Sequence, residues 1–132
     1  MRIVQPEGWP RPRGYANGVL ASGRTLFVAG QIGWNEKEQF DSDDLIEQAR
    51  QALKNLVAVL AAGGARPEHV ARMTWYLTDK REYLRRAGEF GAVYREFMGK
   101  HYPAMAMVQV AALMEDRAKI EVEATAVIPD GG

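Results

Sequence analysis

Apolar and polar positions along the chain repeat with two different periods, and the changes of period divide it into elements. Val19-Leu20-Ala21 and Thr25-Leu26-Phe27-Val28-Ala29 flank Ser22-Gly23-Arg24, a short glycine-containing connection that predicts a β-hairpin. After a polar loop over 35–43, Leu45, Ala49, Ala52, Leu53, Leu56 and Leu60 recur at helical spacing. Asp44 and Glu47 stand as a capping pair at the start of that helix, and Gly63-Gly64 ends it. From Val70 to Leu77 the period becomes two, with Met73, Trp75 and Leu77 alternating with Thr74 and Tyr76, which predicts a strand. Thr78 or Asp79 can cap a second helix carrying Tyr83, Ala87, Phe90, Tyr94 and Phe97. Gly88 and Gly91 weaken it by up to ~1 kcal/mol each relative to alanine, and Gly99 closes it. Past His101-Tyr102-Pro103, the run Ala104 to Leu113 and the alternating Ile120, Val122, Ala124, Ala126 and Ile128 read as two strands joined by the polar Glu115-Asp116-Arg117.

The resulting order is β-β-α-β-α-β-β, a single α+β domain over 1–132 behind an irregular, proline-rich lead at about 1–14. The run Ala104 to Leu113 is apolar on both faces apart from Gln109, so both faces want burial. Two helices cover only one face of a sheet this size, and self-association is the economical way to hide the other. A homo-oligomer is therefore expected, with a monomer carrying a modest apolar patch as the alternative.

Composition narrows the functional classes. Lys+Arg and Asp+Glu both total 17, so no net field gathers phosphate backbones or anionic lipid, and nucleic acid is not an expected partner. The local cluster Lys80-Arg81 with Arg85-Arg86 is opposed by Glu82 and Glu89 and reads as a solvated helix face. With no cysteine there is no disulfide framework and no thiolate nucleophile, which suits a cytoplasmic location. The amino terminus has no continuous apolar stretch, and nothing approaches the ~18 apolar residues of a membrane span, so a soluble, unprocessed protein is expected. His69 and His101 lie in different loops without metal-ligand spacing, so no metal is expected. Neither Gly30-Gln31-Ile32-Gly33 nor Gly63-Gly64-Ala65-Arg66 continues as a phosphate-cradling loop, and no cofactor is expected either.

Two constellations can carry chemistry. Glu121 and Glu123 share one face of the last strand, either as a water-holding general base at an interface or as exposed glutamates paired with lysine or arginine. Tyr15, Trp34, Trp75, Phe90 and Tyr94 either line a small-molecule cleft or are core. Periodicity and composition leave both pairs of readings open.

A resemblance adds to this. Gly14-Tyr15, Leu26 to Ile32, Ala52 to Leu56 running to Ala62-Gly63, Val70 to Asp79, Tyr94, Tyr102-Pro103-Ala104 and Lys119 to Ala126 follow one another in the order and spacing of the Rid family. The chain thus resembles the YjgF-like reactive-intermediate deaminases, also labelled L-PSP endoribonucleases. The resemblance implies a chorismate-mutase-like α+β fold with two helices on one face of a mixed sheet. It also implies a homotrimer with an inner barrel and small-molecule clefts between subunits. Deaminating members carry Pro-Ala-Arg followed by Ser or Thr, and the planar guanidinium forks onto the carboxylate of a 2-imino or enamine acid. Here the motif reads Pro103-Ala104-Met105-Ala106, and a thioether cannot pair with a carboxylate. Ala29 stands where those relatives commonly have a cleft serine.

By position, the resemblance assigns Glu121 to the attacking water and Tyr15 to contact with substrate. Met105 becomes an apolar floor, with Ala29, Gly30 and Gln31 beside it and Trp34 and Phe90, from the aromatic set, as further candidate lining. Arg24 and Arg117 are the arginines named as substitutes for the clamp across an interface. The reading that follows is an imine or enamine deaminase lineage acting on, or binding, a less acidic or larger metabolite than 2-iminopropanoate. The alternatives are a non-catalytic trimer that binds a metabolite or a protein, and an endoribonuclease or translation inhibitor. Neutral charge and the lack of a His or Lys catalytic pair disfavour the last.

Overall fold

The computed structural model of the chain describes residues 1–131. Strands β1 (Arg2–Val4), β2 (Gly18–Leu20) and β3 (Arg24–Ile32) precede helix α1 (Leu45–Ala62). Strand β4 (Val70–Leu77), helices α2 (Lys80–Arg85) and α3 (Ala87–Met98), and strands β5 (Ala104–Gln109) and β6 (Ile120–Ile128) follow. The main sheet runs β3-β6-β4-β5, with β4 and β5 parallel and the other neighbours antiparallel. This is the expected α+β architecture, two main helices on one face of a mixed sheet.

Several elements differ from expectation. The proline-rich lead is not wholly irregular, because β1 within it pairs with β2, Ile3 opposite Val19. That pairing takes β2 away from β3, so the expected hairpin across Ser22-Gly23-Arg24 does not form. Hydrophobic pattern alone assigns no partner, and here a segment from the amino terminus supplies one. The second helix breaks at Arg86, whose backbone leaves helical geometry (φ −117°, ψ 21°) to cap α2 and start α3. The strand expected over 104–113 ends at Gln109, whose side-chain oxygen accepts from the Lys80 backbone N–H at the start of α2.

Helix termini follow the chemistry read from the chain. The Asp44 carboxylate accepts from the Glu47 N–H at 3.1 Å, and Gly63 caps the far end of α1. Helix α1 lies against β3, β6 and α3, and its apolar stripe forms the core with Val70, Met73, Trp75, Ile120 and Val122. From α3, Phe90 and Tyr94 reach β4: the Phe90 ring stands edge-on to Trp75 at 5.0 Å, and the Tyr94 hydroxyl lies 3.9 Å from the Met73 sulfur.

The opposite sheet face is bare in the single chain. Phe27 is 77% exposed on it and Val108 on the edge strand 45%. Alternation along β6 is clean, with Ile120, Val122 and Ala124 buried while Glu121 and Glu123 point away from the helices. This face carries the polar side chains described next.

Candidate functional site

Two side-chain amides fix the strand ends that carry the site. Gln48 on α1 is 1% exposed, and both its amide nitrogen and its amide oxygen are hydrogen-bonded. Its Nε2 donates to the Ser42 and Arg117 carbonyls (3.1 and 3.0 Å), and its Oε1 accepts from the Lys119 N–H (2.8 Å). These bonds tie the segment entering β6 to α1 two residues before Glu121. Asn55, two turns further along the same side of α1, donates to the carbonyls of Ile32 (3.1 Å) and Trp34 (2.7 Å) and so holds the end of β3.

Between those anchors the β3–β6 ladder shifts register. Val28 pairs with Ala124 but Gln31 with Val122, so an additional residue is accommodated at Ala29-Gly30. Such a bulge re-aims the chain locally. Gln31 stabilises it by donating back to the Ala29 carbonyl at 3.0 Å. Glu121 is placed against it: a Cβ built on Gly30 would lie 2.1 Å from Glu121 Oε2. Only a residue without a side chain lets that carboxylate rest on the bulge.

The two glutamates of β6 differ in their partners. Glu123 accepts a hydrogen bond from the Tyr76 hydroxyl at 2.7 Å, which raises the tyrosine pKa above its ordinary value. Glu121 makes no side-chain hydrogen bond or ion pair among the described residues. Among the described residues neither is paired with lysine or arginine. Alongside, Phe27, Ala29, Arg72, Thr74, Glu123 and Thr125 border an open hollow of about 500 Å³ on the sheet face.

Other expected residues lie elsewhere. Met105 is half-buried and registers with Met73 of β4, packing toward the helix side. Glu121 registers with Tyr76 on the other side, and β4 separates β5 from β6. Within one chain, therefore, Met105 and Glu121 occupy opposite faces of different strands. Tyr15, 42% exposed, sits at the β5 edge, where Ala16 donates to the Pro103 carbonyl at 3.0 Å and bridges to Ala104. Trp34 packs on Phe40 at 6.0 Å in the loop after β3. Phe90 is corrected from cleft lining to core: it is 6% exposed and enclosed by Trp75, Tyr83 and Tyr94.

Neither substitute arginine pairs with Glu121 within one chain, among the described residues. Arg117 stacks over Phe40 at 5.3 Å and pairs with Asp43 at 2.9 Å, while Arg24 lies opposite Ile128 at the far end of β3. The arginine that does share the open face is Arg72, which sequence reading missed. Met73, Trp75 and Leu77 set the buried phase of β4, so Arg72 belongs to the opposite phase with Thr74 and Tyr76. That signal was in the sequence, although a register irregularity between Val70 and Arg72 starts the alternation late. His69 and His101 are both engaged with backbone groups, at Arg66 N–H (3.0 Å) and the Val70 carbonyl (2.7 Å).

Comparison with known proteins now fixes the class. Residues 10–128 match the model of the family described as Endoribonuclease L-PSP. A RutC family protein of Pyrococcus horikoshii is 34% identical over 94% of this chain and 95% of its own length. A human 2-iminobutanoate/2-iminopropanoate deaminase is 34% identical over 86% of this chain and 79% of its own. Among solved structures, a Yersinia pestis protein of unknown function from the conserved Rid protein family superposes with a TM-score of 0.85 at 32% identity. That superposition covers 96% of this chain and 98% of the other. The chain belongs to the Rid family, the YjgF/L-PSP group.

Proposed function

We propose that this protein hydrolyses an imine or enamine metabolite, larger or less acidic than 2-iminopropanoate, in clefts completed between copies of the chain. The observation that carries this reading is the unpartnered Glu121 carboxylate resting on the Gly30 bulge. A carboxylate held at a bulge on an otherwise uncommitted sheet face suits a general base. The relatives named as imine deaminases support the reaction class.

In the proposed step, Glu121 accepts a proton from water as the water oxygen bonds to the imine carbon. The proton then passes to nitrogen to give the neutral carbinolamine; its hydroxyl proton follows to nitrogen by way of Glu121 as the carbon–nitrogen bond breaks and the carbon–oxygen double bond forms, so that carbonyl product and ammonia leave. No electrons are exchanged and no cofactor takes part. Tyr15 contacts the substrate, and Met105 offers an apolar surface where the resemblance to deaminating Rid proteins implies an arginine.

Separation of Glu121 from Tyr15 and Met105 within one chain favours assembly from more than one copy. The bare sheet face, with Phe27 at 77% exposure, is the surface that assembly covers. A homotrimer with an inner barrel is the arrangement we propose, and light scattering with size exclusion reads its mass directly.

The test is imine hydrolysis in an amino-acid-oxidase-coupled assay with semicarbazide trapping, across acidic, apolar and aromatic amino acids. Turnover of bulky or apolar imines that disappears in Glu121→Gln is the expected result. Acceleration only in Met105→Arg, with the natural protein inert on every imine, overturns hydrolysis in favour of a binding role. Missing a buried charged clamp costs about 2–5 kcal/mol, so turnover of small acidic imines is expected to be slow.

A further inference from the structure

We propose that the proline-rich lead and the β5 edge form a recognition pocket for an aromatic carboxylate, with Trp9, Tyr15 and Tyr102 contacting the ring and Arg11 and Lys100 the charge. Together with Ile3, these side chains border a hollow of about 450 Å³, within the range of small-molecule sites.

The lead is held in place rather than trailing. Strand β1 pairs with β2, and Gln5 gathers the turn behind it by donating to the Trp9 and Pro10 carbonyls at 3.4 and 3.1 Å. Asn17 in turn donates to the Gln5 side-chain oxygen at 2.7 Å. Arg11 stands between Pro10 and Pro12, where ring constraints restrict its backbone before any ligand arrives. Despite this fixation Trp9 remains 59% exposed and Tyr15 42%. The Tyr102 ring is pinned by stacking on Tyr94, with centroids 5.3 Å apart and planes 10° from parallel.

Charge completes the specification. Neither Arg11 nor Lys100 makes an ion pair among the described residues, so neither charge is committed within the chain. Aromatic faces beside two uncommitted cations match a ligand with a flat apolar ring and a negative group, which stacking and charge can hold together. The pocket shares Tyr15 with the cleft proposed above, and naming its occupant as the reacting imine acid rests on that reading.

Calorimetric titration of the full-length protein with 3-phenylpropanoate, 3-phenylpropanamide and propanoate tests the pocket without any turnover. The aromatic acid should bind best. Arg11→Ala and Lys100→Ala should each weaken it about two- to fivefold, as exposed charge pairs do, and leave the amide unaffected. Trp9→Ala should weaken the acid and the amide alike, and Trp9→Phe should restore most of the loss. Equal affinity for acid and amide, or titrations unmoved by Trp9→Ala, overturns the proposal. Trp9-dependent binding in a protein that turns over no imine supports the pocket and overturns the hydrolase reading. Imine turnover without Trp9-dependent binding does the reverse.

Discussion

Gly30 and Glu121 are packed so closely that a single added carbon on the glycine would stand 2.1 Å from the glutamate Oε2. The contact crosses the β3–β6 ladder at its register shift, so strand geometry and the position of the carboxylate are set together. The obstacle is the end of a flexible side chain, which can swing aside at little cost in stability. Its position, however, is what general-base work depends on.

Gly30→Ala should therefore separate activity from stability. Imine turnover is expected to fall on the order of 100-fold as Glu121 is displaced, with stability lowered by no more than about 1–3 kcal/mol. Coupled-assay kinetics and urea unfolding on the same preparation give both numbers. A turnover matching the natural protein would remove Glu121 from the proposed role.

Gln48 makes a stronger claim on folding. Replacing it with leucine leaves the part-buried Lys119 N–H and the Ser42 and Arg117 carbonyls without their partner. At about 1–3 kcal/mol for a stranded group, reduced where water can reach it, a loss of roughly 1–3 kcal/mol is expected in denaturant unfolding. Because these bonds fix the entry to β6, turnover should also drop.

Asp44 links α1 to the start of α3 and gives stability an acid limb. Arg86, through its side-chain hydrogen bond, lowers the Asp44 pKa below 3.8, helped by the Glu47 N–H. A carboxylate whose folded pKa is depressed stabilises above its unfolded pKa, and that contribution is lost as pH falls through the folded value. Natural protein should thus lose stability below about pH 4 more steeply than Asp44→Asn. Asp44→Ala should cost about 1 kcal/mol at neutral pH by removing the helix cap. Thermal melts from pH 2 to 7 measure both.

Trp75 is fully buried, and its indole N–H has no hydrogen-bond partner among the described residues. Trp75→Phe removes that stranded donor while leaving part of the indole space empty, and the two effects oppose each other at about 1–3 kcal/mol each. A net change within about 1 kcal/mol is expected, against about 3–5 kcal/mol lost in Trp75→Ala. Chemical unfolding of both variants checks the contrast.

Local chemistry made much of this protein legible in its sequence. Asp44, Gly63 and Gly99 mark helix ends because capping is satisfied within a few residues of the backbone group it serves. Alternation in β4 and β6 separated the buried face from the face bearing Glu121 and Glu123, since a strand's period is independent of its partner. Order and spacing of short segments pointed to the Rid family.

Pairing and neighbourhood were decided only by the tertiary structure. Nothing within Gly18–Leu20 specifies that Arg2–Val4 rather than β3 will be its partner, because backbone hydrogen bonds carry no residue identity. Phe90 reads equally well as cleft or core until Trp75, Tyr83 and Tyr94 close around it. The Gly30–Glu121 contact, the alignment of Met105 with Met73 away from Glu121, and the gathering of Trp9, Arg11 and Lys100 beside Tyr15 all join residues distant in the chain. Such contacts depend on where whole strands settle against the core, and no local pattern encodes that.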